Sequence, residues 1–260
     1  MGFSMRIYVL ILIAASCMLA SGYSQAGTAT VSSDSEAAAE GQQLAREVLA
    51  LRPTDEGSQT GTLKIRDGNG RSTQLSIRFS TIITPTNWVS VCFAATETNE
   101  VYQLNVVHVP GQPGAYQFGR TMSADVPVSV MAEIPAAEVM GVSFGGSDFS
   151  LADLGVEFFH WPEQRLKKRE MRRGRSCRVL ESINPQPLPD GYSRVVSWID
   201  RESLGVVFAE AYDARGKLLK EFSPKDFKKV NGRWQLEEME IRNVQTGSRS
   251  RIVFDLESGQ

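Results

Sequence analysis

Residues 192–222 read YSRVVSWIDRESLGVVFAEAYDARGKLLKEF, and their pattern decides the fold. Two runs rich in Val, Trp, Phe and Tyr, 192–199 and 204–213, are split by a short polar break, and Asp213-Ala214-Arg215-Gly216 then supplies a turn. Runs of this length and composition bounded by turn residues are strands, and connections this short make neighbouring strands antiparallel. The spacing continues on both sides. Upstream lie candidate strands at 164–172 and 176–183, and downstream at 216–222, 233–242 and 248–256, with Asn231-Gly232 at one of the turns. Within 233–242 the apolar phase slips from Trp234 and Leu236 to Met239 and Ile241, and a bulge near Glu237-Glu238 would return all four to one face.

The first half repeats the theme. Leu63 and Ile65 share a face before Asp67-Gly68-Asn69-Gly70, and Leu75, Ile77 and Phe79 share one after it, a hairpin whose Asn-Gly suits positive φ. Strands are expected at 87–95, with Val89, Val91 and Phe93 on one face, and at 101–109, with Tyr102, Leu104 and Val106. The stretch 110–147 breaks the alternation with Pro110, Pro113, Pro127 and Pro135. It reads as a long irregular excursion containing short elements, and as a candidate lid. Helices are few. Leu44, Val48 and Leu51 have helical spacing within 35–51, ended by Arg52-Pro53. Ser150 and Asp153 form a capping-box pattern ahead of Leu154, Val156 and Phe158, with Pro162 closing that helix. The expected class is mainly β (α+β): roughly ten antiparallel strands with two or three short helices, in a curved sheet or partial barrel. A single domain over 59–260 would follow a lead-in and helix over 27–58.

Arg6 is the sole charge in residues 1–26 and precedes the apolar run Ile7–Ala20. That run is shorter than the roughly 20 residues that cross a bilayer. With small residues around Ser24-Gln25-Ala26, it reads as a secretory signal peptide cleaved near Ala26, so the mature protein is expected to be exported. A lipid anchor through Cys17 is the weaker alternative, because the usual Leu three positions earlier is missing. The 260 residues carry 28 basic and 30 acidic side chains, a balance that excludes a strongly basic nucleic-acid binder. An exported chain permits a Cys92–Cys177 disulfide, and two free thiols are equally compatible with the sequence.

Catalytic signatures fail on context. Gly141-Val142-Ser143-Phe144-Gly145 matches the G-x-S-x-G nucleophile elbow, but that elbow belongs between a strand and a helix of a parallel sheet, with acid and histidine following. His108 and His160 lack metal-site spacing, and Asp148 and Asp153 flank a helix start where carboxylates serve as caps. No enzyme, cofactor or metal is expected. Arg165, Lys167, Lys168, Arg169, Arg172, Arg173, Arg175 and Arg178 form a basic run opposed by Glu170. It reads first as the solvated face of a hairpin turning at Gly174. Its functional reading is contact with anionic lipid head groups or an acidic partner, through Arg165, Lys168, Arg172 and Arg173. The large apolar residues Trp88, Phe93, Trp198, Phe208 and Trp234 are the candidate lining of a concave face, which side chains and a helix would fill or a ligand would occupy.

Gly145-Gly146-Ser147-Asp148-Phe149-Ser150-Leu151-Ala152-Asp153-Leu154 resembles the G-S-D-F-[ST]-x-x-D-L motif of the bacterial outer-membrane lipoprotein-sorting, or LolA-like, proteins. The segments 192–203 (YSRVVSWIDRES), 216–234 (GKLLKEFSPKDFKKVNGRW) and 239–256 (MEIRNVQTGSRSRIVFDL) are similar too. The resemblance implies an unclosed antiparallel β-barrel capped by short helices, with a hydrophobic cavity for acyl chains. It thereby implies a monomeric periplasmic carrier or chaperone of lipids or lipoproteins, a possible inner-membrane transporter or other membrane-bound partner, and no nucleic acid. The alternative on the same fold is an envelope-stress sensor or regulatory protein-binding module, with the basic run as its contact.

Overall fold

The computed structural model describes residues 34–122, 128, 130–230 and 233–256. The expected signal segment with Cys17 and Ala26, the lead-in to residue 33, Pro127 and the Asn231-Gly232 turn lie outside the described residues. Helix α1 (Asp34–Leu49) precedes six strands: β1 (Gly57–Arg66), β2 (Ser72–Ile83), β3 (Trp88–Thr96), β4 (Val101–His108), β5 (Ala115–Thr121) and β6 (Ala132–Ile134). A connection carrying α2 (Leu151–Gly155) and a 3-10 turn (Glu157–His160) follows. Seven more strands complete the chain: β7 (Glu163–Arg172), β8 (Arg175–Ile183), β9 (Tyr192–Asp200), β10 (Val206–Asp213), β11 (Leu218–Val230), β12 (Arg233–Asn243) and β13 (Arg249–Phe254).

All thirteen strands join one antiparallel sheet in the order β6-β5-β4-β3-β2-β1-β13-β12-β11-β10-β9-β8-β7. The topology is two meanders. The first runs outward from the centre to the edge strand β6; the chain then crosses to the opposite edge at β7 and winds back, until β13 pairs with β1. The two edges do not hydrogen-bond to each other, so the sheet is curved and unclosed.

Register sorts the two faces. Leu63 pairs with Leu75 and Ile252, and Phe79 with Cys92, which pairs with Leu104. These residues belong to the main core together with Leu44 and Val48 of α1 and Phe149, Leu151 and Leu154 from the connection. The inner face is therefore filled by one helix and by the crossing segment. Gly41 sets how close α1 comes: a Cβ there would lie 2.5 Å from the Arg165 backbone nitrogen on β7.

The strand count exceeds expectation because the stretch read as an excursion contains β5 and β6. Gly119 there is a close-approach residue rather than a breaker, since a Cβ would meet Val128 at 2.3 Å. The phase slip in β12 is a bulge. Asp226 pairs with Glu238 and Phe227 with Leu236, leaving Glu237 unpaired, and Leu236 rejoins Met239 against the core. The capping box at Ser150 is formed, but α2 is shorter than the spacing implied. Gly155 packs on the Tyr116 ring and Val156 turns left-handed at φ 49°. At the first hairpin Gly70 has positive φ while Asn69 does not, and Asp67 Oδ1 accepts from the Asn69 and Arg71 N–H groups.

Candidate functional site

The loop that opens α2 is locked to the sheet by a polar node. Asp148 accepts from the hydroxyls of Ser248 and Ser250, at 2.5 and 2.8 Å, and its N–H donates to Ser250 Oγ at 2.8 Å. Asp153 Oδ2 accepts from the Ser150 N–H and hydroxyl, and Tyr192 Oη donates to the Asp153 carboxylate at 2.9 Å. Lys220 Nζ donates to the Asp148 carbonyl at 2.6 Å and lies 3.5 Å from Asp153 Oδ2. Burial alone would push the Lys220 ammonium down, but Tyr192 and Asp153 hold it above its ordinary range. The segments quoted around 148, 192, 220 and 250 thus meet at one point, and the two aspartates serve there as cap and anchor. Ser143 Oγ donates to the Ser147 carbonyl at 2.9 Å, with no histidine bonded to it among the described residues.

What the crossing segment leaves open is unequal. Beneath α2, between Phe149, Val156, Phe158, Val195, Phe222 and Ile241, the residual cavity is about 40 Å³, room for two or three waters at most. At the mouth, where α1 faces the ends of β3 and β4, a cleft of about 540 Å³ opens, within the 300–1,000 Å³ typical of small-molecule sites. Leu49, Trp88, Pro110, Phe159 and Trp161 supply much of its wall, and Arg46 lies at its edge. Trp88 stacks on His108 with ring centroids 4.9 Å apart and planes 11° from parallel, and Ser90 Oγ lies 3.1 Å from His108 Nε2. Burial, with His160 adding to it, pushes His108 down to about 4, and burial lowers His160 as well. Both imidazoles are accordingly neutral near pH 7. Arg52 is held by the carbonyls of Thr84, Pro85 and Asn87, which fixes the end of α1 beside the cleft. Arg46 donates to Gln43 Oε1 at 3.0 Å and makes no ion pair with the described residues.

The five aromatic residues singled out from the sequence do not converge. Trp88 lies on the inner face and lines the cleft. Phe93 is five positions further along β3, so its parity is opposite and it faces outward. Trp198 and Phe208 pair across β9 and β10 and build a second cluster with Cys177, Val179 and Val196 on the outer face, opposite Val195 and Ile199 of the main core. Trp234 sits on the far part of β12, well exposed. Of the five residues expected to line a concave face, Trp88 borders the cleft, whereas Phe93, Trp198 and Phe208 lie on the outer face of the sheet. The residues the sequence reading missed are Leu49, Phe159 and Trp161; Trp161 beside His160 was visible, but nothing in the pattern brought it to β3. Cys92 and Cys177 are free, and they lie on opposite faces.

The basic run is a hairpin turning at Arg173-Gly174, both at positive φ, and many of its charges have internal partners. Arg169 pairs with Glu40 and Arg178 with Glu47, each at 2.9 Å, fastening α1. Lys168 pairs with Glu170 at 2.7 Å, and Glu170 accepts from the Trp198 indole. Arg172 lies over the Phe208 ring at 4.0 Å and the Trp198 ring at 4.7 Å, covering the outer cluster. Arg173 donates to the Pro224 carbonyl, and Arg165 is exposed, 4.0 Å from Glu163.

A family model described as that of an uncharacterized protein matches residues 130–256. No curated protein matches the chain. Among solved structures, a DUF1329 family protein from Desulfovibrio piger is similar at 19% identity and a TM-score of 0.66, over 84% of this chain and 91% of that one. A domain described as outer membrane lipoprotein-sorting, from Vibrio parahaemolyticus, is similar at 21% identity and 0.63, over 84% and 92%. A LolA superfamily protein from Nitrosomonas europaea is similar at 13% identity and 0.50, over 85% and 92%. The chain has the LolA-like fold.

Proposed function

We propose that this protein is a periplasmic, non-enzymatic carrier that shields an acyl chain of a lipid or lipoprotein in the cleft between α1 and the sheet. The observation that carries the reading is the cleft itself: about 540 Å³, walled by Leu49, Trp88, Phe159 and Trp161, with neutral imidazoles inside and, at the rim, Arg46, which makes no ion pair with the described residues. Each methylene transferred there from water contributes about 0.8 kcal/mol, while Arg46 would favour a negatively charged head group. The LolA-like fold supports the carrier class, and the apolar segment after Arg6 supports export. The test is purification from periplasm, organic extraction and mass spectrometry. Stoichiometric lipid is expected; protein that is empty and also fails to take up a fluorescent fatty acid refutes the reading.

A further inference from the structure

The exposed aromatic residues of the second meander gather on one projection. β10 pairs with β11 as far as Phe222, and β13 with β12 as far as Glu238, so Lys225–Val230 and the facing residues of β12 up to Glu237 have no third strand beside them. They form a two-stranded finger at the end of the β11–β12 ladder, tied at its base by Leu236 against the core and by Lys228 Nζ, which donates to the Leu256 carbonyl at 3.4 Å. Phe227, opposite Leu236, is 39% exposed, and Trp234, opposite Lys229, is 44% exposed. Both lie on one face of the finger, because their partners are two residues apart on each strand. A two-stranded stretch has little core of its own, and both rings keep a large share of their surface open to solvent.

The surroundings of the finger are basic. At its root a groove of about 330 Å³ is lined by Arg173, Arg175, Lys225 and Phe227, and by Ser203 and Asp200, whose Oδ2 lies 3.9 Å from Arg175 Nη1. The Arg201 N–H donates to the Ser176 carbonyl, which brings the β9–β10 turn beside the β7–β8 turn. Exposed on these neighbouring tips are Arg173, Arg175, Arg201, Lys225 and Lys229, against the exposed acids Glu202 and Asp226. Lys225 is bridged to Glu240 at 2.8 Å, while Lys229 makes no ion pair with the described residues. Tryptophan beside an aromatic partner, ringed by Lys and Arg, is the composition that settles at the boundary between lipid head groups and acyl chains.

We propose that the β11–β12 finger docks the protein on an anionic phospholipid surface, with Phe227 and Trp234 entering the interface and Arg173, Arg175, Lys225 and Lys229 lying at the phosphates. Charge complementarity selects a membrane of this kind over an apolar patch for a second copy, because two such fingers would bring like charges together. The idea is independent of what the cleft holds. The test is co-sedimentation of the purified protein with vesicles of phosphatidylcholine alone and of phosphatidylcholine with 30% phosphatidylglycerol. Wild type should partition at least tenfold more strongly to the anionic vesicles, lose that preference in high salt, and show a blue shift of tryptophan emission that Trp234→Phe removes. Phe227→Ser with Trp234→Ser should weaken partition at least tenfold while leaving the urea midpoint unchanged, and any contribution of the apolar N-terminal segment is common to all the variants. Equal partition of the double variant and wild type, or no preference for phosphatidylglycerol, would overturn the proposal. So would a wild-type dimer dispersed by the double substitution in the absence of vesicle binding.

Discussion

Glu157→Gln should stabilise the protein, and by an amount that depends on pH. Glu157 is buried at the start of the 3-10 turn and accepts from the Tyr116 hydroxyl at 2.9 Å. Burial pushes its carboxyl up to about 7, against the smaller downward pull of that hydrogen bond. Between its ordinary value of 4.5 and about 7 the folded protein holds a proton that the unfolded chain has released, so stability falls as pH rises through this window and levels off above it. At about 1.4 kcal/mol per pH unit, the loss is about 1 kcal/mol at pH 5 and about 3 kcal/mol at pH 8. Gln keeps an acceptor for Tyr116 and removes the charge, so the variant should gain these amounts. His108 acts in the opposite sense. Held at about 4, it refuses a proton that the unfolded chain takes up below about 6.5, so its contribution rises with pH and masks Glu157 in the wild type. The assay is therefore the difference in urea unfolding free energy between variant and wild type, measured at both pH 5 and pH 8. An equal difference at the two pH values, or a variant less stable at pH 8, would refute the reasoning.

Three further outcomes are expected. Leu49→Trp should fill the cleft and lower uptake of a fluorescent fatty acid at least tenfold by titration, whereas Phe93→Ala on the outer face should leave uptake within about twofold. Gly41→Ala should cost about 2 kcal/mol or more in urea unfolding, because the new Cβ would press on the β7 backbone at 2.5 Å. Lys220→Met should cost about 3 kcal/mol, by leaving the Asp148 carbonyl and the Asp153 carboxylate buried without their cation; Arg165→Ala, with its exposed contact at 4.0 Å, should change stability by less than about 0.5 kcal/mol.

The strand meander and the capped turn at Ser150 were legible because alternation, turn residues and capping are local. Sidedness was not. On β3 the more apolar alternate set is Val89, Val91 and Phe93, which faces outward, while the inner set after Trp88 is Ser90, Cys92 and Ala94. The inner positions of β9 and β10 likewise include Ser197, Ala209 and Ala211. Small side chains weaken the hydrophobic signal of a strand, but here they make room for Phe149, Leu151 and Leu154 of the crossing segment. Sequence reading that equates bulk with the interior selects the wrong face wherever another segment supplies the bulk. The cleft was hidden for a related reason: its walls come from α1, β3, the β4–β5 loop and the 3-10 turn, and no periodicity links those stretches.

The pairing of β1 with β13 also carries a kinetic consequence. Thr60 and Asp255, hydrogen-bonded to each other in the finished sheet, are 195 residues apart in the chain. A seam of such high contact order forms slowly, and during synthesis from the N-terminus β13 emerges after the other twelve described strands. Until then the first meander presents β1 as a naked edge, able to recruit strands from other chains. Removal of β13 (Arg249–Phe254) would leave that edge open permanently, so a truncation that takes it away is expected to produce aggregates rather than a slightly shorter folded protein.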